Sequence, residues 1–396
     1  MKSKLINKLK KISKEMQLFL KENNNMCVDR TRKNNIFDAI LYKLYYTRYA
    51  STQQKTVIRL NQFKKNKLKT SRQAISKKEN KLSSSFYEKL SNFLADQINA
   101  NFNFDHKYTR QIIAVDGTFP TLLKSLTNDG YKANKKGESV TPLVSGLFNV
   151  TSNYPVTLDL VKTKNERKAF YNFIKNKDKF RGNVFIFDKG YVSEKLFRYM
   201  NNNDLLYICR LRDNSCYISN KDNIIINENG MKIRIIKYVI NGKSYHMATN
   251  VYDYNINLIR QIYHDRWQIE EYFKYIKQNM NLAKINEKRE NSIKKLILSQ
   301  LIVSQIAFIF VNANKGHKNK DKILNKSVLT DGFYDKFLYN FFQNAKFSKY
   351  FLLNFIKTHM IYIDTNRGKS VKHTCKRSNF RWYFKKYFKN VKSENI

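Results

Sequence analysis

Apolar positions change their period along this chain, and the changes divide it. Residues 1–105 read as helical: Ile36, Phe37, Ile40, Leu41 and Leu44 recur at helical spacing. Within a dense positive run from Lys64 to Lys81, Thr70 or Ser71 is a candidate N-cap for a short helix through Arg72, Ile75 and Lys78. A second helix is expected over Phe86 to Ile98. Two short helices beside lysines suit either a helix-turn-helix-like DNA reader or a solvated basic hairpin.

From residue 111 the pattern shortens to strands. Gln111 to Asp116 is an apolar run ending in an acid, and Leu143 to Val150 and Val156 to Val161 are two further strands. Ser152, Asn153 and Pro155 mark the turn between them. A helix over Glu166 to Ile174 precedes a second apolar run ending in an acid, Asn183 to Asp188, followed by Lys189-Gly190-Tyr191. A helix from Ser193 to Met200 and a strand from Leu205 to Leu211 complete the order β-β-β-α-β-α-β, which predicts a mixed sheet with helices on its faces.

Residues 212–254 break the alternation. Ile224 to Ile226, Lys232 to Ile240 and Ser244 to Val251 read as strands, with Asn229-Gly230 and Asn241-Gly242 as hairpin turns between them. A small antiparallel insertion is expected here. A helix follows from about Ile256, and the remainder to residue 396 reads as helical and basic, ending in the aromatic-basic stretch Arg381 to Lys389. Leu296 to Val311 is apolar but is interrupted by Ser299, Gln300, Ser304 and Gln305, as in a buried helix rather than a membrane span.

Composition narrows the function. Hydrophobic residues make up 42% and aromatics 14%, enough for a packed core. The net charge of +44 favours a polyanionic partner, although an AT-rich coding sequence supplies part of the lysine excess. Cys27, Cys209, Cys216 and Cys375 are scattered, with no CxxC pair and no histidine at zinc-ligand spacing. The first residues, Met1-Lys2-Ser3-Lys4, lead into no apolar leader, so a non-secreted protein is expected.

Candidate chemistry sits on three elements. Asp116 and Asp188 each end an apolar strand, where a carboxylate is held rigidly; singly, each is equally a turn former. On the later helix, Tyr263, Arg266, Glu270 and Lys277 fall within roughly 60° of one another at about 100° per residue. Glu271 lies about 100° further round, and Ile269, Phe273 and Ile276 form the packing stripe. Three carboxylates on three elements can hold two divalent ions, for which Mg²⁺ is suited by its preference for hard oxygens. Asp159 and Glu166 read as structural, the latter as a first-turn acid favoured by the helix dipole, and His264 as a surface residue.

Together these residues resemble the DDE transposases of the insertion-sequence-four type, which have a ribonuclease-H-like catalytic core. The likeness rests on Val115-Asp116-Gly117-Thr118, on Phe187-Asp188-Lys189-Gly190-Tyr191, and on the Tyr-x2-Arg-x3-Glu-x6-Lys spacing of Tyr263, Arg266, Glu270 and Lys277. Trp267, Ile269 and the pair Thr249-Asn250 add to it. The likeness spans roughly residues 110–285. It implies that Asp116, Asp188 and Glu270 are the catalytic, metal-binding triad, and that Tyr263, Arg266 and Lys277 grip DNA phosphates. Lys189 stands where many relatives carry arginine and is also expected on a phosphate, without the bidentate fork.

The expected organisation is an α/β ribonuclease-H-like mixed sheet with a small antiparallel insertion, flanked by helical regions. Residues 1–105 would be a basic DNA-binding domain, in which Lys69, Arg72, Lys77 and Lys78 are candidate contacts. The core would occupy 106–211 and 255–290, the insertion 212–254 and a basic helical region 291–396. The expected activity is Mg²⁺-dependent cleavage at transposon ends and strand transfer, with two ions and with Mn²⁺ able to substitute. The partners would be double-stranded DNA, as transposon ends and target, and a second copy in the DNA complex; no membrane is expected. The location would be the cytoplasm or nucleoid of a bacterial host, and otherwise nuclear or viral. A domesticated DNA-binding protein without catalysis and a nuclease that cuts without joining are the alternatives.

Overall fold

In the computed structural model the described residues are 2–23, 36–49, 53–63, 69–102, 108–175, 177–218, 223–228, 230–313, 322–343, 349–359 and 362–364. The aromatic-basic stretch Arg381 to Lys389, residues 64–68 of the lysine run, and Cys27 and Cys375 lie outside them.

Eight strands form one sheet: β1 (Ile112–Thr118), β2 (Leu143–Asn149), β3 (Tyr154–Val161), β4 (Val184–Phe187), β5 (Leu206–Arg210), β6 (Asn223–Glu228), β7 (Met231–Ile240) and β8 (Lys243–Thr249). Their order is β3-β2-β1-β4-β5-β8-β7-β6. The first three are antiparallel neighbours, and β4 and β5 run parallel to β1. Helical crossovers link the parallel strands, as parallel pairing requires. This is the ribonuclease-H-like arrangement.

The apolar runs were legible because the central strands are buried on both faces. Ile112, Ala114, Val184 and Ile186 face one core, and Ile113, Val115, Phe185 and Phe187 face the other. Two local expectations need correction. β1 does not stop at Asp116: Asp116, Gly117 and Thr118 continue the ladder against Gly146, Ser145 and Val144. Pro155 is not in the turn but inside β3, opposite Phe148, where the register shifts; a bulge tolerates the missing N–H. The expected antiparallel insertion is present at 223–249, and its strand β8 pairs with β5, so that it continues the core sheet. Asn241 and Gly242 turn β7 into β8, both with positive φ, 50° and 75°; Asn229 lies outside the described residues.

The helices are α1 (Lys2–Glu22), α2 (Ile36–Tyr49), α3 (Gln53–Phe63), α4 (Arg72–Lys81), α5 (Ser84–Asn101), α6 (Glu166–Phe173), α7 (Glu194–Asn202), α8 (Ile256–Asp265), α9 (Trp267–Asn279), α10 (Glu290–Ala313), α11 (Lys326–Gly332), α12 (Leu338–Gln343) and α13 (Lys349–His359). Of the two candidate caps, Ser71 is the one used: its side chain accepts from the Ala74 N–H. α10 packs on α2, α5 and β3 together. Its most apolar window is long enough to cross a membrane and is 89% buried inside the protein. The polar interruptions find partners there, apart from Gln300 Oε1, which is buried without one. Gln300 Nε2 donates to the Met280 carbonyl at 2.8 Å, and Ser304 Oγ to the Gln300 carbonyl at 2.7 Å. Lys295 on α10 meets Glu79 on α4 at 2.7 Å, both buried.

Of the expected helix-turn-helix pair, α5 turns Phe86, Leu90, Leu94 and Ile98 inward and leaves Glu88 and Asp96 exposed. Its outer face is therefore not a basic reading surface. On α4, Arg72 and Lys77 are exposed and Lys78 is half-buried; Lys69, just before it, is exposed.

Candidate active site

Register places the two aspartates. Ala114 on β1 is the partner of Ile186 on β4, and the strands run parallel. Two residues further on, Asp116 is still within β1 and Asp188 is the first residue past the end of β4, in extended conformation at the same end of the sheet. By alternation both continue the rows Ile112-Ala114 and Val184-Ile186, on the sheet face that α9 covers. Ile269, Tyr272, Phe273 and Ile276 of α9 belong to the same core as those rows. Tyr272 packs on Phe148 with ring centroids 5.6 Å apart.

α9 approaches Asp116 closely because β2 is bare opposite it. Gly146 is the cross-strand partner of Asp116. A Cβ on Gly146 would lie 3.3 Å from Phe273 Cζ and 2.7 Å from Leu158 Cδ2. Phe273 is three residues beyond Glu270, so this contact brings the start of α9 over the aspartates.

The electrostatics report the same neighbourhood. Burial pushes the Asp116 carboxyl up to about 6; the Gly117 N–H and Arg266 pull it down, while Glu270 and Asp188 push it further up. Glu270 is held by Arg266 at 2.5 Å. The Arg266 side chain is only 12% exposed, and its Nε is buried without a hydrogen-bond partner.

The helix expected to carry the four-residue signature is two helices. α8 ends at Asp265, and the turn tightens around Arg266: its N–H bonds to the Tyr263 carbonyl, and the Ile269 N–H bonds to the Arg266 carbonyl. Tyr108 donates to the Asp265 carboxylate at this break. Tyr263 still meets Arg266, whose guanidinium lies 5.7 Å from the ring centroid. Burial, foremost, and the nearby Asp188 raise the Tyr263 phenol above its ordinary range. Lys277 is exposed two turns further along, and Lys189 is exposed beside Asp188, its carbonyl taken by Arg212 Nε at 3.2 Å. Asn250 has a structural part: it accepts the Tyr207 N–H at 2.8 Å and donates to the Leu205 carbonyl at 2.9 Å, pinning β5.

Glu166 is the first-turn acid expected from the sequence. It opens α6 behind the cap Asn165, but its carboxylate turns inward. Its Oε1 lies 3.3 Å from where a Cβ on Gly117 would be, and its Oε2 3.8 Å from the same point on Gly190. Burial, then Asp116 and Asp188, raise its carboxyl above the usual range. The signal available in the sequence was topological: a first-turn acid after the third strand starts its helix at the end of the sheet where Asp116 sits. Asp159 is raised by burial but faces Lys294 and Glu88 instead.

Among the described residues no three His, Cys, Asp or Glu side chains converge closely enough to hold one ion between them. The donor chemistry nonetheless fits a hard divalent cation: carboxylate oxygens from β1 and from the residue just past β4, with Asp116 raised by burial foremost and then by Glu270 and Asp188. Asp116 and Asp188 would hold it, and Glu270 would join on leaving Arg266.

Beside these acids runs an open groove of about 1060 Å³ between the hairpins and α8, lined by Arg210, Tyr238, Tyr245, Arg260, Tyr263 and Trp267 among others. Tyr238 and Tyr245 stack at 5.6 Å, the Arg210 guanidinium lies 4.9 Å from the Tyr245 ring, and Trp267 is 58% exposed. Sequence reading missed Arg260, on α8 itself, and Arg210, Tyr238 and Tyr245, which only the β5–β8 pairing brings beside it.

Comparison with known proteins completes the assignment. The model of the transposase DDE domain matches residues 107–306, just over half of the chain. No curated protein matches. A cryo-EM structure of a piggyBac transposase synaptic complex with hairpin DNA superposes with a TM-score of 0.45 at 11% identity, over 96% of this chain and 86% of that one. The matched span runs from just before β1 into α10 and takes in Asp116, Asp188 and Glu270. The chain belongs to the transposase family defined by the DDE domain.

Proposed function

We propose that this chain cleaves DNA at the ends of a mobile element and joins them to target DNA, with Asp116, Asp188 and Glu270 as its catalytic triad. The observation that carries the reading is that Asp116 on β1 and Asp188 just past the parallel strand β4 lie at the same end of the sheet, with Glu270 on α9 close enough to act on Asp116. Two Mg²⁺ ions, or Mn²⁺ in their place, would when bound activate a water or 3′-hydroxyl and stabilise the leaving oxygen.

The protein's own groups do the rest. Asp116 and Asp188, fixed by the sheet, set the position of the centre. Arg266 pairs with Glu270 in the free protein and, released from it, has a guanidinium free to take a phosphate oxygen. Tyr263 packs against Arg266 and limits where it can swing. Lys189 and Lys277, exposed on either side, are placed for phosphates further along the strand. The groove of arginines interleaved with aromatics suits a nucleic-acid strand, through phosphate pairing and base stacking.

Residues 1–105 and 291–396 would bind the element's ends, with Lys69, Arg72, Lys77 and Lys78 as contacts to double-stranded DNA. Pairing two ends calls for a homodimer in the complex. No step involves a membrane, and the site of action is the host's DNA, in the nucleoid if the host is bacterial. Full-length protein with Mg²⁺, a labelled element end and a target plasmid tests the reading. Labelled joined product is the expected result. Cut ends without joined product would leave a nuclease, and DNA binding without either would leave a non-catalytic binder.

A further inference from the structure

We propose that Glu166 is a fourth carboxylate of the acidic centre and takes part in binding cations there with Asp116 and Asp188. The inference rests on the reading of that centre as a divalent-ion site.

An acid in the first turn of a helix has a local use, since it complements the exposed N–H groups. Such an acid gains by facing away from other anions. Glu166 faces toward them. Its two oxygens sit against Gly117 and Gly190, the residues that follow Asp116 directly and Asp188 by two. A side chain on Gly117 would lie 3.3 Å from Oε1, and one on Gly190 3.8 Å from Oε2. Glycine at both positions leaves the carboxylate open to the two aspartate-bearing segments. Four acids from β1, α6, the end of β4 and α9 then share one corner of the fold, and the arginine against Asp116 and Glu270 offsets only one of those charges. Half-buried like charges crowded in this way are relieved by a proton or by a counter-cation.

A second observation points to an incoming ligand. The Tyr191 hydroxyl is fully buried, has no hydrogen-bond partner and lies within electrostatic reach of Glu166, Asp116 and Asp188. The Tyr191 N–H bonds to the Asp188 carbonyl at 3.0 Å, which anchors the residue at the centre. A buried donor of this kind is satisfied when an oxygen, such as a water carried by an ion, enters beside it.

The test is Mn²⁺ titrated calorimetrically into the full-length, DNA-free protein, with melting temperatures taken in chelator and in Mn²⁺. Wild type, Glu166→Gln, Glu166→Asp and Asp116→Asn are compared. Glu166→Gln should bind Mn²⁺ about tenfold or more weakly, with Glu166→Asp between it and wild type. In chelator Glu166→Gln should melt no lower than wild type, because a like charge has gone. Unchanged Mn²⁺ affinity, or a lowered melting temperature in chelator, would overturn the inference and leave Glu166 as a capping acid. Wild type and Asp116→Asn distinguish the two levels. If wild type binds Mn²⁺ and Asp116→Asn does not, an unaffected Glu166→Gln sinks this inference alone. If wild type takes up no Mn²⁺, the ion reading falls and this inference falls with it.

Discussion

Asp116 and Gly146 are cross-strand partners, and the missing side chain at Gly146 is what lets Phe273 seat α9 against the sheet beside the acid. A proposed catalytic carboxylate is thus positioned partly by an absence on the next strand. Gly146→Ala should lower stability by about 1–3 kcal/mol through overpacking against Leu158 and Phe273. It should also reduce cleavage more than DNA binding, since it lifts Glu270 away from Asp116. Urea denaturation and end-cleavage assays on the same preparation check both; a variant that cleaves like wild type would show that α9 needs no close seat.

Glu270→Gln should remove cleavage by about 100-fold or more while leaving DNA affinity within a few-fold of wild type. Arg266 loses its anionic partner but keeps its place over Tyr263. Gel-shift and cleavage measurements separate the two effects. Loss of binding in parallel with cleavage would mean that the pair is structural.

The raised Asp116 carboxyl has a pH consequence of fixed sign. In the folded, metal-free protein it titrates at about 6, above its ordinary 3.8, so between those values the folded state binds more protons than the unfolded one. Stability from this group therefore falls as pH rises from about 4 to 6, by up to about 3 kcal/mol at roughly 1.4 kcal/mol per pKa unit. Asp116→Asn should gain stability relative to wild type across that window, measured by denaturation in chelator at a series of pH values. A constant difference between the two proteins would contradict the shift.

Lys295 and Glu79 are a buried ion pair joining α10 to α4, and the ammonium also donates to the Glu79 carbonyl at 3.1 Å. Glu79→Ala should destabilise by about 3–5 kcal/mol, because it strands a buried cation. Replacing both, Glu79→Leu with Lys295→Met, should recover much of that loss. Equal losses in the single and double variants would show that the charge itself is not what matters.

How much of this was legible beforehand depended on the reach of each interaction. The strands of the core were readable because burial on both faces writes a continuous apolar run, as in Val184 to Phe187. The spacing of Tyr263, Arg266 and Glu270 was readable because helix geometry is local. The break at Arg266 was not. Every residue there tolerates a helix, and Tyr108, which holds Asp265 at the break, is 157 residues away in sequence. Glu166 was legible only in part: its first-turn place is local, whereas its nearness to Gly117 and Gly190 depends on distant packing. The union of β8 with β5 was hidden as well. Alternation in Lys243 to Thr249 says that one face is buried but not which edge the strand joins, and the arginine-aromatic groove follows from that edge.

The helix α10 has a mechanical consequence. It is a shared beam, built into the helices before residue 105 on one side and into β3 of the catalytic sheet on the other. It cannot tilt toward one without leaving the other. A DNA end gripped on α4 would then be held at a set distance and angle from Asp116, like a workpiece clamped to the same bed as the blade. Any repositioning between successive cuts would have to come from bending of the DNA.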